Sequence, residues 1–186
     1  MAKSKKTRPS QYITRGRKDF TVIRDRIPAS TKVEEPEAVY GKAFADRAFV
    51  FLGMERKKDF SGITSVADFI TVIRKGVSKK AIDKLMEITG ITSNEMAFII
   101  RLSDRTLRRY KSQTLLNPEQ SEKVVELARL YSRGEEAFGN LENFKEWMNS
   151  TVMALGNKKP KEFLDTSLGI DILMDELGRI EHGIFA

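Results

Sequence analysis

From residue 65 onward, apolar residues recur every three or four positions, which is the spacing of one buried face of an α-helix. Polar residues suited to helix capping precede the periodic runs, and glycines follow several of them. The first helix is predicted to face the core with Val66, Phe69, Ile70 and Ile73. Gly76 and Gly90 are predicted to end the first two helices, and Gly134 is predicted to end the fifth. The pattern predicts a mainly α fold whose helices begin at Ser65, Ser78, Thr92, Ser103, Asn117, Leu141, Pro160 and Thr166 or Ser167.

The first 60 residues lack this regular spacing and are expected to form a partly flexible extension. Residues 1–35 are predicted to be poorly structured, apart from one possible strand over 20–23. A helix could begin at Pro36 and continue to about Leu52, because proline suits the first helical position. Residues 54–62 are predicted to form a loop.

Two short helices in the middle of the chain are spaced like a helix-turn-helix over residues 93–110. Ala97 is the small residue needed where the two helices touch. Arg101 occupies the turn position where glycine is usual, because the backbone there favours a positive φ. The residues predicted to form the core between the two helices are Met96, Ile100, Leu102, Leu107 and Tyr110.

The second of these helices carries most of the positive charge of the motif. Residues 92–112 contain five basic and two acidic side chains. Such a helix can enter a major groove while its arginines and lysines reach phosphates. An ordinary pair of helices with a charged outer face is the alternative. The candidate DNA-contacting residues are Ser103, Arg105, Thr106, Arg108, Arg109 and Lys111.

Charge is distributed unevenly along the chain. The formal net charge is +7, and residues 1–26, with nine basic and two acidic side chains, account for all of it. Residues 135–186 carry five basic and ten acidic side chains. A basic N-terminal segment and an acidic C-terminal segment indicate an anionic partner for the first and a different partner for the second. Equally, the basic N-terminal segment could be a solvated tail.

Composition limits the possible chemistry. There is no cysteine and only one histidine, His182, which excludes disulfides and the usual zinc sites. No apolar run approaches the ~20 residues that span a bilayer, and no secretory signal is recognisable. Nucleotide-binding and hydrolase motifs are missing as well. We therefore expect a cytoplasmic protein that is not an enzyme and has no catalytic residue, cofactor or metal.

The last predicted helix has a single apolar stripe formed by Ile170, Leu173, Leu177, Ile180 and Ile184. Its opposite side carries Asp171, Asp175, Arg179 and His182, and Gly183 is expected to end the helix. The short apolar end after Gly183 could enter a partner, or Phe185 could fold back onto its own core. Arg179 could simply pair with Asp175 at i,i+4 spacing.

The C-terminal string from Leu177 to Ala186 closely resembles the ending of Xre/MbcA/ParS-type antitoxins. The helix-turn-helix and the helices from about residue 65 resemble the Xre module of the same family. Further segments match its toxin-binding domain in order and spacing, namely Ala137-Phe138-Gly139, Trp147-Met148-Asn149, Ala154-Leu155-Gly156, Pro160 and Leu164-Asp165-Thr166 through Gly169.

We expect three parts, which are a basic N-terminal extension (1–60), an Xre-like helix-turn-helix bundle (61–134) and a small α-helical toxin-binding domain (135–186). The resemblance covers about residues 65–186 and does not explain the extension. It implies an antitoxin of a type II toxin–antitoxin system that binds an NAD-degrading RES-domain toxin and blocks its active site. It also implies a homodimer, within a larger complex, that binds operator DNA and autoregulates its operon. A stand-alone helix-turn-helix regulator or a partition-site DNA-binding protein is the alternative. The implied toxin-binding residues are Arg179, Glu181, His182, Gly183, Ile184, Phe185 and Ala186.

Overall fold

The computed structural model describes residues 47–54 and 66–183. Residues 47–51 are helical, and Gly53 adopts a φ of +62° in the turn that follows. The possible strand over 20–23, the helix start at Pro36 and the predicted loop after Met54 lie outside the described residues. No helix of the described part is long and apolar enough to cross a membrane.

The rest of the described chain is helical, as predicted. The helices are α1 (Val66–Lys75), α2 (Lys79–Thr89), α3 (Ser93–Ile99), α4 (Asp104–Arg109), α5 (Pro118–Phe138), α6 (Leu141–Asn149) and α7 (Ser167–Glu181). Two 3₁₀ turns, Met153–Leu155 and Pro160–Phe163, lie between α6 and α7. Extended pairing in the described part consists of two isolated bridges, Ser78 with Leu115 and Val152 with Lys158.

The helix starts follow from local capping chemistry. The side chains of Ser78, Ser103 and Asn117 each accept a hydrogen bond from a backbone N–H of the first turn that follows. Thr92 and Glu95 form a reciprocal capping box at the start of α3. These contacts satisfy N–H groups that have no partner inside the helix, so the sequence pattern predicted the starts correctly.

Helix α5 organises the packing. It has 21 residues and is therefore ~32 Å long, and it contacts α1, α2, α6 and α7. Its buried face includes Val124, Leu127, Ala128, Leu130 and Tyr131. Because these contacts belong to both the helix-turn-helix side and the C-terminal side, one helix joins the two predicted domains, 61–134 and 135–186.

Two details of the predicted pattern are wrong. Helix α5 continues through Gly134 and ends at Gly139, whose φ is +76°. Gly134 is instead buried, because the ring of Phe144 packs directly against its Cα. Ile70 was expected to face the core with Phe69, yet it is 49% exposed while Phe69 is buried.

An aromatic cluster fixes α6 against α5. The ring of Phe144 makes an edge contact with Tyr131 at a centroid distance of 5.2 Å. Trp147 lies beside Phe138 and Phe144 at 5.6 and 5.8 Å. Trp147 is therefore half-buried in the packing of the C-terminal part. The following chain returns to α5 through α7, whose buried residues are Gly169, Ile170, Leu173, Glu176 and Leu177.

Candidate functional site

Helices α3 and α4 form a helix-turn-helix pair. Ala97 is 2% exposed, as the close approach of the two helices requires, and Met96, Ile100 and Leu107 are also buried. Leu102 and Tyr110 are partly buried against the same core. Arg101 has a φ of +55°, so the predicted left-handed turn is present even though the residue is not glycine.

Asp104 ties the second helix of the motif to the first. The Ser93 hydroxyl donates a 2.5 Å hydrogen bond to Asp104 Oδ1, and Arg108 Nε lies 2.8 Å from Asp104 Oδ2. The Ser93 hydrogen bond, followed by the Arg108 contact, lowers the pKa of Asp104 below its ordinary value. The carboxylate thus stays charged and engages Arg108, one of the six candidate DNA-contacting residues.

Ser103 and Thr106 are also engaged. The Ser103 side chain accepts a 3.1 Å hydrogen bond from the Thr106 backbone N–H, and the two hydroxyl oxygens are 2.7 Å apart. Ser103 is exposed and Thr106 is half-buried. Their main structural effect is to begin α4 at a fixed position, which presents the following arginines in a defined orientation.

Four cations around α4 are exposed without an ion pair to any described residue. Arg105, Arg109 and Lys111 belong to the predicted set, and Arg101 at the turn adds a fourth. Arg101 is not among the DNA contacts predicted from the sequence, although its charge and its place in the turn were available signals. Exposed cations clustered on one helix and its flanks form a positive surface, which is typical of proteins that bind nucleic-acid phosphates.

The second predicted site is at the C-terminal end of α7. Arg179 Nη1 donates a 2.8 Å hydrogen bond to Glu176 Oε2, so its partner lies three residues away and is not Asp175, the alternative that the sequence offered. Glu181 forms an ion pair with Arg133 of α5. His182 follows the helix as an exposed C-cap, and Gly183 has a φ of +66°.

The predicted break at Gly183 is therefore present, and the ion pair to Arg133 holds the preceding turn against α5. Ile184, Phe185 and Ala186, the remaining predicted toxin-binding residues, lie outside the described residues. The Arg133–Glu181 contact joins residues 48 positions apart. No local spacing rule could have identified it.

Helix α7 also exposes apolar surface that the sequence argument did not single out. Leu168 is 71% exposed and Ile172 is 39% exposed. They lie four residues apart, outside the buried stripe, next to the exposed carboxylates of Asp171 and Asp175. Their four-residue spacing, offset from the buried stripe, could have identified this second apolar surface from the sequence. Within the described part, no three acidic or histidine side chains gather closely enough to hold a metal ion.

Comparison with protein families identifies two matching domains. Residues 68–129 match the antitoxin Xre-like helix-turn-helix domain. Residues 133–183 match the antitoxin Xre/MbcA/ParS C-terminal toxin-binding domain. The two matches meet within α5, the helix that packs against both sides of the molecule.

Curated relatives agree with these matches. An antitoxin Xre from Yersinia enterocolitica is 28% identical over 116 residues, which cover 61% of this chain and 78% of the relative. An antitoxin Xre from Photorhabdus laumondii is 24% identical over 115 residues, with the same shares. A protein of a Sphingobium species named Prs ADP-ribosylating antitoxin is 28% identical over 132 residues, which cover 66% of this chain and 83% of the relative.

Proposed function

This chain belongs to the Xre/MbcA/ParS-type antitoxins, and we propose that it neutralises a cognate RES-domain toxin by inserting its C-terminal segment into the toxin's active site. The observation that carries the proposal is the end of α7. The match to the toxin-binding domain ends at Gly183, directly after α7. The Arg133–Glu181 ion pair holds the last turn of α7 against α5, and residues 184–186 follow Gly183 in the sequence. Such an end can leave the domain surface while the helix behind it stays fixed.

The chemistry of that end suits a nucleotide pocket. Arg179 is exposed and carries a planar fork of donors, which matches carboxylate or phosphate geometry. Ile184 and Phe185 are apolar, and burying a phenylalanine side chain contributes ~1.5–3 kcal/mol. The pairing of Glu181 with Arg133 gives that glutamate a positioning role behind the tip.

The toxin is proposed to consume NAD. The resemblance of the C-terminal string to Xre/MbcA/ParS-type antitoxins implies such a toxin. The name of the Sphingobium relative supports it, because it refers to ADP-ribosylation, a reaction that uses NAD as donor. Degradation of free NAD and transfer of ADP-ribose to a protein are two reactions of such a toxin. They differ in whether the cellular NAD pool falls or a modified protein accumulates.

The helix-turn-helix is proposed to bind the operator of its own operon, with Arg105, Arg109 and Lys111 as the principal contacts. Arg108 is held by Asp104, which makes it a weaker candidate. The binding species is a homodimer within a larger toxin–antitoxin complex, so two half-sites spaced by about one helical turn of DNA are expected.

The test is co-expression of the chain with the product of the adjacent gene, with growth, cellular NAD and pull-down as measurements. Deleting residues 183–186 leaves all of α7 and its Arg133–Glu181 pair in place. We expect this variant to melt at the same temperature as the full chain and to be retained by the toxin, yet to restore neither growth nor NAD. Deleting 179–186 should have the same effect on growth.

The matched control is Arg109→Ala, which should neutralise the toxin normally because it lies on the DNA-facing helix. Full protection by both deletion variants would place the blocking surface within residues 135–178. If the adjacent gene product neither binds the chain nor harms cells, the stand-alone regulator becomes the better account.

A further inference from the structure

The three lysines of α2 differ in their partners. Lys79 is buried and forms an ion pair with Asp83. Lys84 Nζ lies 3.0 Å from Glu87 Oε2. Lys80 is exposed and has no ion pair with any described residue. Each carboxylate of α2 thus compensates one lysine, and Lys80 is left with a full positive charge facing solvent.

The loop after α4 lies directly against the start of α2. The Lys80 backbone N–H donates to the Ser112 carbonyl at 3.0 Å, and the Lys79 N–H donates to the Thr114 carbonyl at 2.8 Å. Ser112 follows Lys111, which comes two residues after the last residue of α4. These bonds therefore fix Lys80 close to Lys111 and to the C-terminal end of the proposed recognition helix.

The same bonds decide which groups could hold an anion. The first N–H groups of α2 are occupied by loop carbonyls and by the Ser78 side chain, so the helix start offers no free backbone donors there. Side chains must supply the contact instead. Lys80 and Gln113 line a concave surface of about 260 Å³. The neighbouring Lys84 ammonium is already held by Glu87 and is not part of the contact. Since a water molecule takes up ~30 Å³, this space can receive a phosphate group together with bridging waters.

We propose that Lys80 contacts a backbone phosphate of the DNA that borders the groove entered by α4, together with Lys111 and Gln113. The inference rests on the proposed operator binding and extends that surface to α2, a helix outside the helix-turn-helix. A duplex carries a phosphate strand along each side of the major groove. If α4 lies in the major groove, Lys80 near the C-terminal end of α4 lies beside one of these phosphate strands.

A phosphate contact has a signature that separates it from base readout. It strengthens binding to any sequence, and each contact contributes about 0.9 to the slope of log affinity against log salt concentration. Losing one contact should therefore reduce the affinity ratio between 50 and 200 mM salt by about 3.5-fold. Lys84, four residues further along the same helix but paired with Glu87, provides a matched control.

The experiment measures fluorescence anisotropy of the full chain with a promoter duplex and with a scrambled duplex across this salt range. Lys80→Ala should weaken binding to both duplexes by the same factor and lower the salt slope by about 0.9, whereas Lys80→Arg should keep the slope. Lys84→Ala should leave the slope unchanged. Circular dichroism melting confirms that each variant is folded, and Lys80→Gln replaces any alanine variant that is not.

An unchanged slope for folded Lys80→Ala, while wild type binds DNA, overturns this inference alone. Equal losses for Lys80→Ala and Lys84→Ala also overturn it, because the effect would then be general electrostatics. Failure of the wild-type chain to bind either duplex removes operator binding from the proposed function, and this contact with it.

Discussion

Arg101 adopts a left-handed backbone conformation, which is unfavourable for a residue that carries a Cβ. Its φ of +55° lies in the left-handed region, where a Cβ approaches the carbonyl oxygen and costs about 1–2 kcal/mol. Neighbouring contacts impose it, because the Leu102 N–H bonds to the Ala97 carbonyl across the turn at 2.8 Å. The exposed guanidinium has no ion pair within the described part to offset this strain. The proposed operator binding gives Arg101 a functional reason to be present, because a cation in the turn would then lie near phosphates.

Arg101→Gly should therefore raise stability by up to about 1 kcal/mol, which corresponds to ~2–4 °C in melting temperature for a chain of this size. The same variant should bind DNA more weakly at low salt because a cation is lost. Arg101→Ala is the control, since it removes the charge but keeps the Cβ. It should weaken DNA binding without raising the melting temperature. A lower melting temperature for Arg101→Gly would show that the turn is not strained.

Side-chain partners were the least predictable feature at the residue scale. A pairing of Arg179 with Asp175 was one alternative that the sequence allowed, and Arg179 instead bonds to the mostly buried Glu176. Asp175 and Glu176 both lie about one helical turn before Arg179, so sequence spacing alone could not tell which of them is its partner. The position of Glu176 next to the packed face of α7 decides it, because a buried carboxylate needs a charged or hydrogen-bonding partner.

At the scale of helices, the sequence predicted starts better than ends. Caps such as Thr92 with Glu95, or Asn117 ahead of Pro118, are local chemistry, so they can be identified from a few neighbouring residues. Gly134 carried the same local signal as a helix end but lies inside α5. A contact with Phe144, ten residues further on and in another helix, determines its role. A contact between two different helices cannot be predicted from the periodicity of apolar residues within one of them.

Gly134→Ala should destabilise the protein by about 1–3 kcal/mol, because a Cβ there would lie 2.4 Å from two ring atoms of Phe144. Gly178→Ala is a control within α7, where an added Cβ meets no atom within 4 Å. That change should stabilise by about 0.5–1 kcal/mol through helix propensity. Chemical denaturation of both variants measures the difference. Similar stabilities would mean that Phe144 moves away from α5 at little cost.

At the scale of the whole molecule, the helix-turn-helix domain and the C-terminal domain are packed into one connected body. Helix α5 contacts α1 and α2 as well as α6 and α7, so the helix-turn-helix domain and the C-terminal domain share a core. Glu95 and Phe98 of α3 also line one cavity together with Lys145 and Lys161 of the C-terminal part. The charge of the sequence follows the same division, with its acidic surplus in residues 135–186. In the proposed operator complex, this acidic surplus opposes any approach of the C-terminal part to DNA, because like charges repel.

The basic residues 1–26 should add a salt-sensitive component to DNA binding. Nine cations can neutralise phosphates, and their contribution falls as salt screens charge, with a Debye length of ~10 Å at 0.1 M. Deleting residues 2–26 should lower promoter affinity strongly at 50 mM salt and far less at 200 mM, while toxin neutralisation persists. A full-length variant with these nine residues changed to glutamine separates charge from length and should match the deletion. Equal promoter affinity of the deletion variant and wild type at every salt concentration would establish the segment as a solvated tail.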